Sequence, residues 1–323
     1  MARLGAPIVF TQLAWVAMLT TDTAMIGRLG PDALAGASLS LMIFFLTWVF
    51  CFGVIMATAA LASQAFGARK PRMIRRVIRQ GFWATIVLTV PAMIAFRYTP
   101  DLLGLLSQPP EILPHADAYM STLMWCLIPS IGFAVVRNFI SSLNRPTPAL
   151  WVMLAGVPLN GLLDYALIFG NFGLPRLELV GAGIATSIVN WLMFLVLLAI
   201  AVFAKPFRRY AILGRFWRPD WFQFRQIFRI GLPIAAMSLL EAGFFFSAIF
   251  IVAQFGAHAI AATMIALQMP HITFMVPMGL GQATTVRVGQ AVGRRDTEGA
   301  YRSGWVAVSI ALVFMSVMTA IVL

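Results

Sequence analysis

Long, continuous apolar runs constrain this 323-residue chain more than any other feature, because each is long enough for a helix to cross a bilayer. Nine such runs cover residues 5–28, 35–66, 77–97, 117–143, 149–170, 178–203, 229–255, 260–290 and 302–323. None alternates between apolar and polar residues as a membrane β-strand does. With 61% hydrophobic and only 11% charged residues, the composition disfavours a water-soluble domain. The sequence therefore predicts an all-α polytopic membrane protein.

The basic residues fall mainly on one side of the predicted membrane. Of the 23 Lys and Arg residues, only Arg28, Arg97 and Arg176 lie in the alternate segments, which leaves 23 − 3 = 20 on the other side. Cytoplasmic loops carry this excess in membrane proteins, so we expect a cytoplasmic N-terminus. The same rule accounts for the net charge of +12 without nucleic-acid binding. Aromatic and basic residues mix in the segment 205–228, which we expect to lie on the inner leaflet.

An internal repeat divides the chain. LGAPI at 4–8 returns as IGLPI at 230–234, and QAFG at 64–67 returns as QAVG at 290–293, an offset of 290 − 64 = 226 residues. Six predicted spans separate the two starts, so both copies enter the membrane in the same direction. Two parallel halves of this kind are typical of transporters with a substrate site between them.

The repeat predicts two bundles of unequal length. They are an N-terminal six-helix bundle at 1–204, a cytoplasmic interfacial linker at 205–228 and an incomplete C-terminal bundle of about three helices at 229–323. The last residue corresponds to position 323 − 226 = 97 of the first copy. We therefore expect a truncated copy of a twelve-helix protein, lacking its last three helices.

Three acidic residues, Asp22, Asp164 and Glu241, lie well inside predicted spans. A carboxylate near the bilayer centre costs about 2.5–3.5 kcal/mol or more, so such a residue normally faces a cavity or a partner. Asp22 and Asp164 each lie six residues from the outer end of their span, about 9 Å below it. Asn160 shares a helix face with Asp164, and Thr186 could complete an oxygen cluster. This pattern indicates an ion site.

Structural roles are open for each of these residues. Asp22 could be held by a neighbouring threonine, and Asp164 by Tyr165 or by a neighbouring span. Asn160 and Thr186 could belong to the scaffold. Cys51 and Cys126 lie in apolar runs with no metal-ligand spacing, so no metal site is predicted.

Four segments resemble the multidrug and toxic compound extrusion (MATE) transporters, close to the bacterial NorM-like branch. They are TQLAWVAMLTTDTAMIGRLGPDALAG at 11–36, SQAFGARKPRMIRR at 63–76, SSLNRPTPALWVMLAGVPLNGLLDYALIFG at 141–170 and GAGIATSIVNW at 181–191. The resemblance implies two six-helix bundles around a central cavity. It also implies a monomer in the bacterial inner membrane that exports small organic, cationic compounds against inward flow of H⁺ or Na⁺, with no other cofactor.

The resemblance also assigns roles to the acids. Asp22, Asn160 and Asp164 match the proton or cation site of the family's N-terminal lobe, and Thr186 matches a site residue on span six less closely. Glu241 is similar to the span-seven glutamate that couples cations or binds the cationic drug.

Weaker signals surround Glu241. Phe244 and Phe245 could stack on a planar cation, and Met264 could contribute an adaptable drug surface, but ordinary packing or lipid contact is the better explanation of all three.

Other functions remain open at this stage. A lipid-linked precursor flippase of the same superfamily would need several arginines in its cavity, and an inactive truncated remnant would export nothing. A membrane enzyme would need a nucleophile, a metal cluster or a soluble domain, which the sequence does not show.

Overall fold

The computed structural model describes residues 2–105, 110–173, 175–214, 216–253 and 257–322, and within these ranges it contains helices and no strand. The helices are α1 (Ala2–Ile26), α2 (Pro31–Gly67), α3 (Pro71–Phe96), α4 (Thr99–Leu105), α5 (Leu113–Leu123), α6 (Leu127–Ser142), α7 (Thr147–Phe169), α8 (Glu178–Phe203), α9 (Trp221–Ala253), α10 (Ala257–Gly293) and α11 (Thr297–Val322). The predicted all-α fold class is confirmed.

The helices agree with the apolar runs of the sequence. Eight helical segments of the described chain are long and apolar enough to cross a membrane. The predicted span 117–143 consists of α5 and α6 joined by a single 3₁₀ turn, Met124–Cys126. The predicted span 260–290 falls on α10, where the side chains of residues 257–272 lie outside the described part of the structure.

Proline and glycine set several helix ends. Pro31, Pro71 and Pro148 occupy the first turns of α2, α3 and α7, where the missing N–H has no helical partner. Gly170 ends α7 with φ 74°, a conformation that glycine adopts without strain. These ends fix the depth at which the polar residues of α1 and α7 meet.

Two aromatic residues of the linker, Phe207 and Tyr210, pack against the N-terminal bundle. Both are buried, and their rings contact Phe139 of α6 at centroid distances of 6.1 and 5.6 Å. Trp83 Nε1 of α3 donates a hydrogen bond to the Phe216 carbonyl at 3.1 Å. Trp217, by contrast, is 78% exposed, as an interfacial ring should be.

The two bundles contact each other through crossed helix pairs. α9 packs against α2, and α10 packs against both α1 and α2. α1 and α2 have their repeat counterparts in α9 and α10, so each first helix of one copy packs on the second helix of the other. The contact between the bundles therefore has the approximate two-fold symmetry of the sequence repeat.

Within the N-terminal bundle, α7 and α8 approach so closely that Gly181 tolerates no side chain. A Cβ added to Gly181 would lie 2.5 Å from the Leu167 carbonyl oxygen, whereas one added to Gly281 of α10 would meet nothing within 4 Å. We expect Gly181→Ala to lower the unfolding free energy by about 1–3 kcal/mol through overpacking, and Gly281→Ala to cause no loss. Thermal unfolding in detergent checks this, and equal melting temperatures for the two variants would contradict it.

Candidate functional site

Helices α1, α7 and α8 bring four of the predicted site residues together in the half of the N-terminal bundle where α1 and α7 end and α8 begins. Asp22 lies on α1, Asn160 and Asp164 lie one turn apart on α7, and Thr186 lies on α8. All four are buried, with exposed fractions of 4%, 0%, 0% and 7% respectively. The similar depth that the sequence gives Asp22 and Asp164 is thus matched by proximity in space.

One asparagine amide joins the two carboxyl groups. Asn160 Nδ2 donates hydrogen bonds to Asp22 Oδ1 and to Asp164 Oδ2, the latter at 2.7 Å. Both N–H groups of the amide are used in this way, one toward each acid. Asn160 therefore holds side chains of α1 and α7 in a single polar cluster.

Thr186 closes the cluster from α8. Its Oγ1 lies 3.3 Å from Asp22 Oδ2 and 3.0 Å from the Ala182 carbonyl oxygen. A hydroxyl has one hydrogen, so Thr186 can donate to only one of these acceptors at a time. Its hydrogen bond to Asp22 can therefore form and break without any change of the helix.

The cluster has more oxygen acceptors than donors. Asn160 Oδ1 and Asp164 Oδ1 are buried with no hydrogen-bond partner. The ion pairs seen among the described residues, Arg76–Asp220 and Arg176–Glu178, involve neither Asp22 nor Asp164. Two ionised carboxylates in contact would repel each other strongly in this dry setting. A proton or a small cation would supply the positive charge that the arrangement lacks.

The neighbouring threonines do not hold Asp22. Thr20, Thr21 and Thr23 each donate to the carbonyl oxygen four residues earlier, at 2.9 Å. Asp22 instead contacts residues of two other helices.

Tyr165 also has other contacts. Its ring packs on Phe169 and Phe172, and the side chain is 44% exposed. Asp164 is instead linked to Asp22 of a neighbouring span through the amide of Asn160 on its own helix.

An apolar layer lies one helical turn outward from the acids. It contains Ile26, Tyr119, Leu123, Ile168 and Leu179, which are all buried. Beyond it, the outer ends of α2, α5 and α8 form a pocket of about 280 Å³. The apolar layer separates this pocket from the carboxyl groups.

The other predicted residues lie away from this cluster. Glu241 lies on α9 in the second bundle and is exposed among the described residues. Phe244 and Phe245 follow it with exposed fractions of 72% and 50%. Met264 lies on α10, and its side chain falls outside the described residues. Glu241 and Phe244 thus belong to a separate surface, and their roles stay predictions.

Arg137 is a buried cation that was not predicted as one. It is counted among the 20 basic residues of the basic side, but it is only 6% exposed inside α6. Arg137 Nη1 donates to Gln12 Oε1 of α1 at 3.1 Å, and its Cζ lies 5.5 Å from the Phe52 ring centroid. Its burial could have been predicted from the sequence, because Arg137 lies six residues inside the predicted span 117–143.

The two lobes of membrane-length helices and the buried acid pair define a polytopic membrane transporter. The MatE family model matches residues 7–166 and 233–323, two segments whose starts are 233 − 7 = 226 residues apart, the offset of the repeat. The chain belongs to the MATE family, whose members are transporters and not enzymes.

Relatives and solved structures agree with this assignment. The chain is 44% identical over 317 residues to a probable multidrug resistance protein NorM from Bradyrhizobium diazoefficiens, covering 98% of this chain and 68% of that protein. It is 45% identical over 319 residues to the protein of the same description from Rhodopseudomonas palustris, covering 99% and 67%.

Two solved structures show the same fold. The eukaryotic MATE transporter AtDTX14 superposes with a TM-score of 0.85 at 20% identity, over 96% of this chain and 68% of that one. A MOP superfamily transporter from Pyrococcus furiosus superposes with a TM-score of 0.87 at 23% identity, over 99% and 70%. The present structure therefore has the helical arrangement of these transporters over nearly its whole described length.

The shared amide predicts a measurable stability difference. Asn160→Ala removes the donor of both Asp22 and Asp164, and a buried acceptor left without its donor costs about 1–3 kcal/mol. We expect a clearly lower melting temperature in detergent at neutral pH. The matched control is Asn171→Ala, since Asn171 Nδ2 reaches only the Tyr165 carbonyl oxygen at 3.5 Å. Equal losses in both variants would show that the amide does not hold the acids.

Proposed function

We propose that this protein exports small organic cations across the bacterial inner membrane in exchange for H⁺ or Na⁺, by alternating access of its two bundles. The family assignment and the multidrug resistance proteins among its relatives support the transport of drug-like compounds. The basic side of the molecule supports an N-terminus in the cytoplasm. The internal repeat supports an active unit that is a single chain with two bundles. No metal or organic cofactor takes part in this proposal.

The observation that carries the proposal is the pair Asp22 and Asp164 held by one amide. Among the described residues, the two carboxyl groups of this pair accept hydrogen bonds from the side chains of Asn160 and Thr186 only. Binding one proton or one Na⁺ removes most of the repulsion between the two carboxyl groups. The ion therefore changes which contact between α1 and α7 is favoured.

α1 connects this cluster to the second bundle. Asp22 lies in its outer half, whereas its inner half packs against α10, where Val9 contacts Gly279. A change in the position of α1 at the acid pair therefore alters the contact between the bundles. This physical connection couples the ion to the access of the substrate.

Glu241 supplies a negative charge on the other bundle. Among the described residues it is exposed on α9, next to the edge-to-face pair Phe244 and Phe245, whose ring centroids are 5.9 Å apart. A carboxylate beside aromatic rings suits a planar organic cation. Glu241, Phe244 and Phe245 are our proposed substrate contacts, together with Met264 of α10.

Neutralising the first acid should abolish coupling. In proteoliposomes with an imposed pH or Na⁺ gradient, we expect wild-type protein to move ethidium and Asp22→Asn to lose at least nine-tenths of the gradient-driven rate. Asp101→Asn is the control, because Asp101 is exposed in the first turn of α4. Undiminished gradient-driven transport by Asp22→Asn would refute the role of the pair, and wild-type protein inert under both gradients would refute the exporter.

Neutralising Glu241 should weaken the binding of cations. We expect Glu241→Gln to raise the dissociation constant for ethidium roughly threefold to tenfold, corresponding to about 0.7–1.4 kcal/mol, since one charged contact is lost. Fluorescence titration in detergent measures this constant. Glu298→Gln, in the exposed first turn of α11, is the control and should bind as wild type does. An unchanged constant for Glu241→Gln would place the cation elsewhere.

A further inference from the structure

The inner ends of α2 and α10 meet with their backbones in direct contact. A Cβ added to Gly67 would collide with the Gln290 carbonyl oxygen, and a Cβ added to Gly293 would collide with the Gln64 carbonyl oxygen. Gly67 and Gly293 are equivalent positions of the repeat, since 293 − 67 = 226. The two bundles therefore close on each other at the cytoplasmic end around the symmetry axis.

A second pair of repeat-related glycines extends this contact along the helices. A Cβ on Gly53 would lie 2.6 Å from Ala235 Cα of α9, and one on Gly279 would lie 2.9 Å from Val9 Cα of α1. The positions are again 279 − 53 = 226 residues apart. Small residues let the four helices approach closely, which seals the inner half of the interface between the bundles.

Gln290 places a polar side chain across this interface. Gln290 of α10 is only 3% exposed, and its Nε2 donates a hydrogen bond to the Ser142 carbonyl oxygen at 2.9 Å. Its Oε1 accepts a hydrogen bond from Asn144 Nδ2 at 3.2 Å. Ser142 ends α6 and Asn144 follows it, so both partners belong to the N-terminal bundle.

We propose that Gln290 is a latch that holds the cytoplasmic side closed and sets the equilibrium between the inward-closed and inward-open states. This inference rests on the alternating access of the proposed function. Gln290 is a positioning residue in this sense, because it acts on the arrangement of the bundles and contacts neither ion nor substrate.

A neutral amide suits a contact that must break in every cycle. When the bundles separate, water can replace both hydrogen bonds of Gln290, so opening costs only their small net contribution. An ion pair at the same place would be harder to break. Apolar side chains there would not specify one register between the helices. The latch therefore biases the closed state without trapping it.

The repeat supplies a matched control for this latch. Gln64 is the equivalent of Gln290 in the first copy and lies at the same crossing. Within the part of the chain that the structure describes, its side chain makes no hydrogen bond and is half-buried. The same substitution at Gln64 should therefore leave the equilibrium unchanged.

Distances between two spin labels, measured by double electron–electron resonance in lipid nanodiscs, test the latch directly. Spin labels on Arg72→Cys and Glu298→Cys occupy exposed, repeat-equivalent first turns of α3 and α11, in a background where Cys51 and Cys126 are replaced by Ala. We expect Gln290→Met, which keeps the length but loses both hydrogen bonds, to raise the ratio of inward-open to inward-closed molecules roughly tenfold. Gln64→Met should match wild type.

Asn144→Gly provides a second variant in case Gln290→Met fails to fold. Asn144 has φ 62°, so glycine keeps the backbone and removes only the amide. We expect Asn144→Gly by itself to raise the ratio of inward-open to inward-closed molecules roughly threefold. In the double variant with Gln290→Met, it should cause no further increase. Equal effects of Gln290→Met and Gln64→Met would overturn the latch, as would an unshifted distance distribution in folded Asn144→Gly.

This measurement needs neither substrate nor ion gradient. If the distance distribution shifts in Gln290→Met while the wild-type protein moves no ethidium, the latch is supported and the export function is rejected. If the wild-type protein exports ethidium but the distribution does not shift in Gln290→Met, the latch is rejected and the export function is supported.

Discussion

Asp22 and Asp164 meet inside a membrane-spanning bundle with one asparagine amide between them, and the rest of the molecule is arranged around this contact. Repulsion between two carboxylates grows as water is removed, so the pair is stable only with a proton or a cation nearby or with a different spacing of α1 and α7. Continuous helices can carry such a change over their length. In the proposed exchange, an ion bound at this pair acts through α1 on the other half of the bundle, where α1 packs against α10.

The contact between the two bundles contains close backbone packing and a neutral amide instead of paired acids. Backbone contacts at Gly53, Gly67, Gly279 and Gly293 bring four helices together across the repeat axis, and the polar group at the crossing is the neutral amide of Gln290. α1 takes part in both regions, through Asp22 and through its packing on α10. The two parallel copies thus place an acidic cluster inside one bundle and a hydrogen-bonded contact between the bundles.

The sequence predicted the parts of this arrangement that depend on depth and period. Apolar runs gave the helices, and counting from span ends brought Asp22 and Asp164 to one level. Partners across the interface were not predictable in this way. The packing of Arg137 on Gln12 and Phe52, and of Phe207 on Phe139, was not predicted. Such contacts depend on how helices are rotated, which hydropathy does not encode.

The difference between the two polar regions follows from what each must respond to. A carboxyl pair changes its charge when an ion arrives, so it suits the place where the ion is sensed. An amide keeps the same hydrogen-bonding capacity at every pH of interest, so its contact with Ser142 and Asn144 does not depend on the ion directly. In the proposed cycle, the ion acts on the contact between the bundles by moving α1. Coupling of this kind would be mechanical, with ion binding first and opening second.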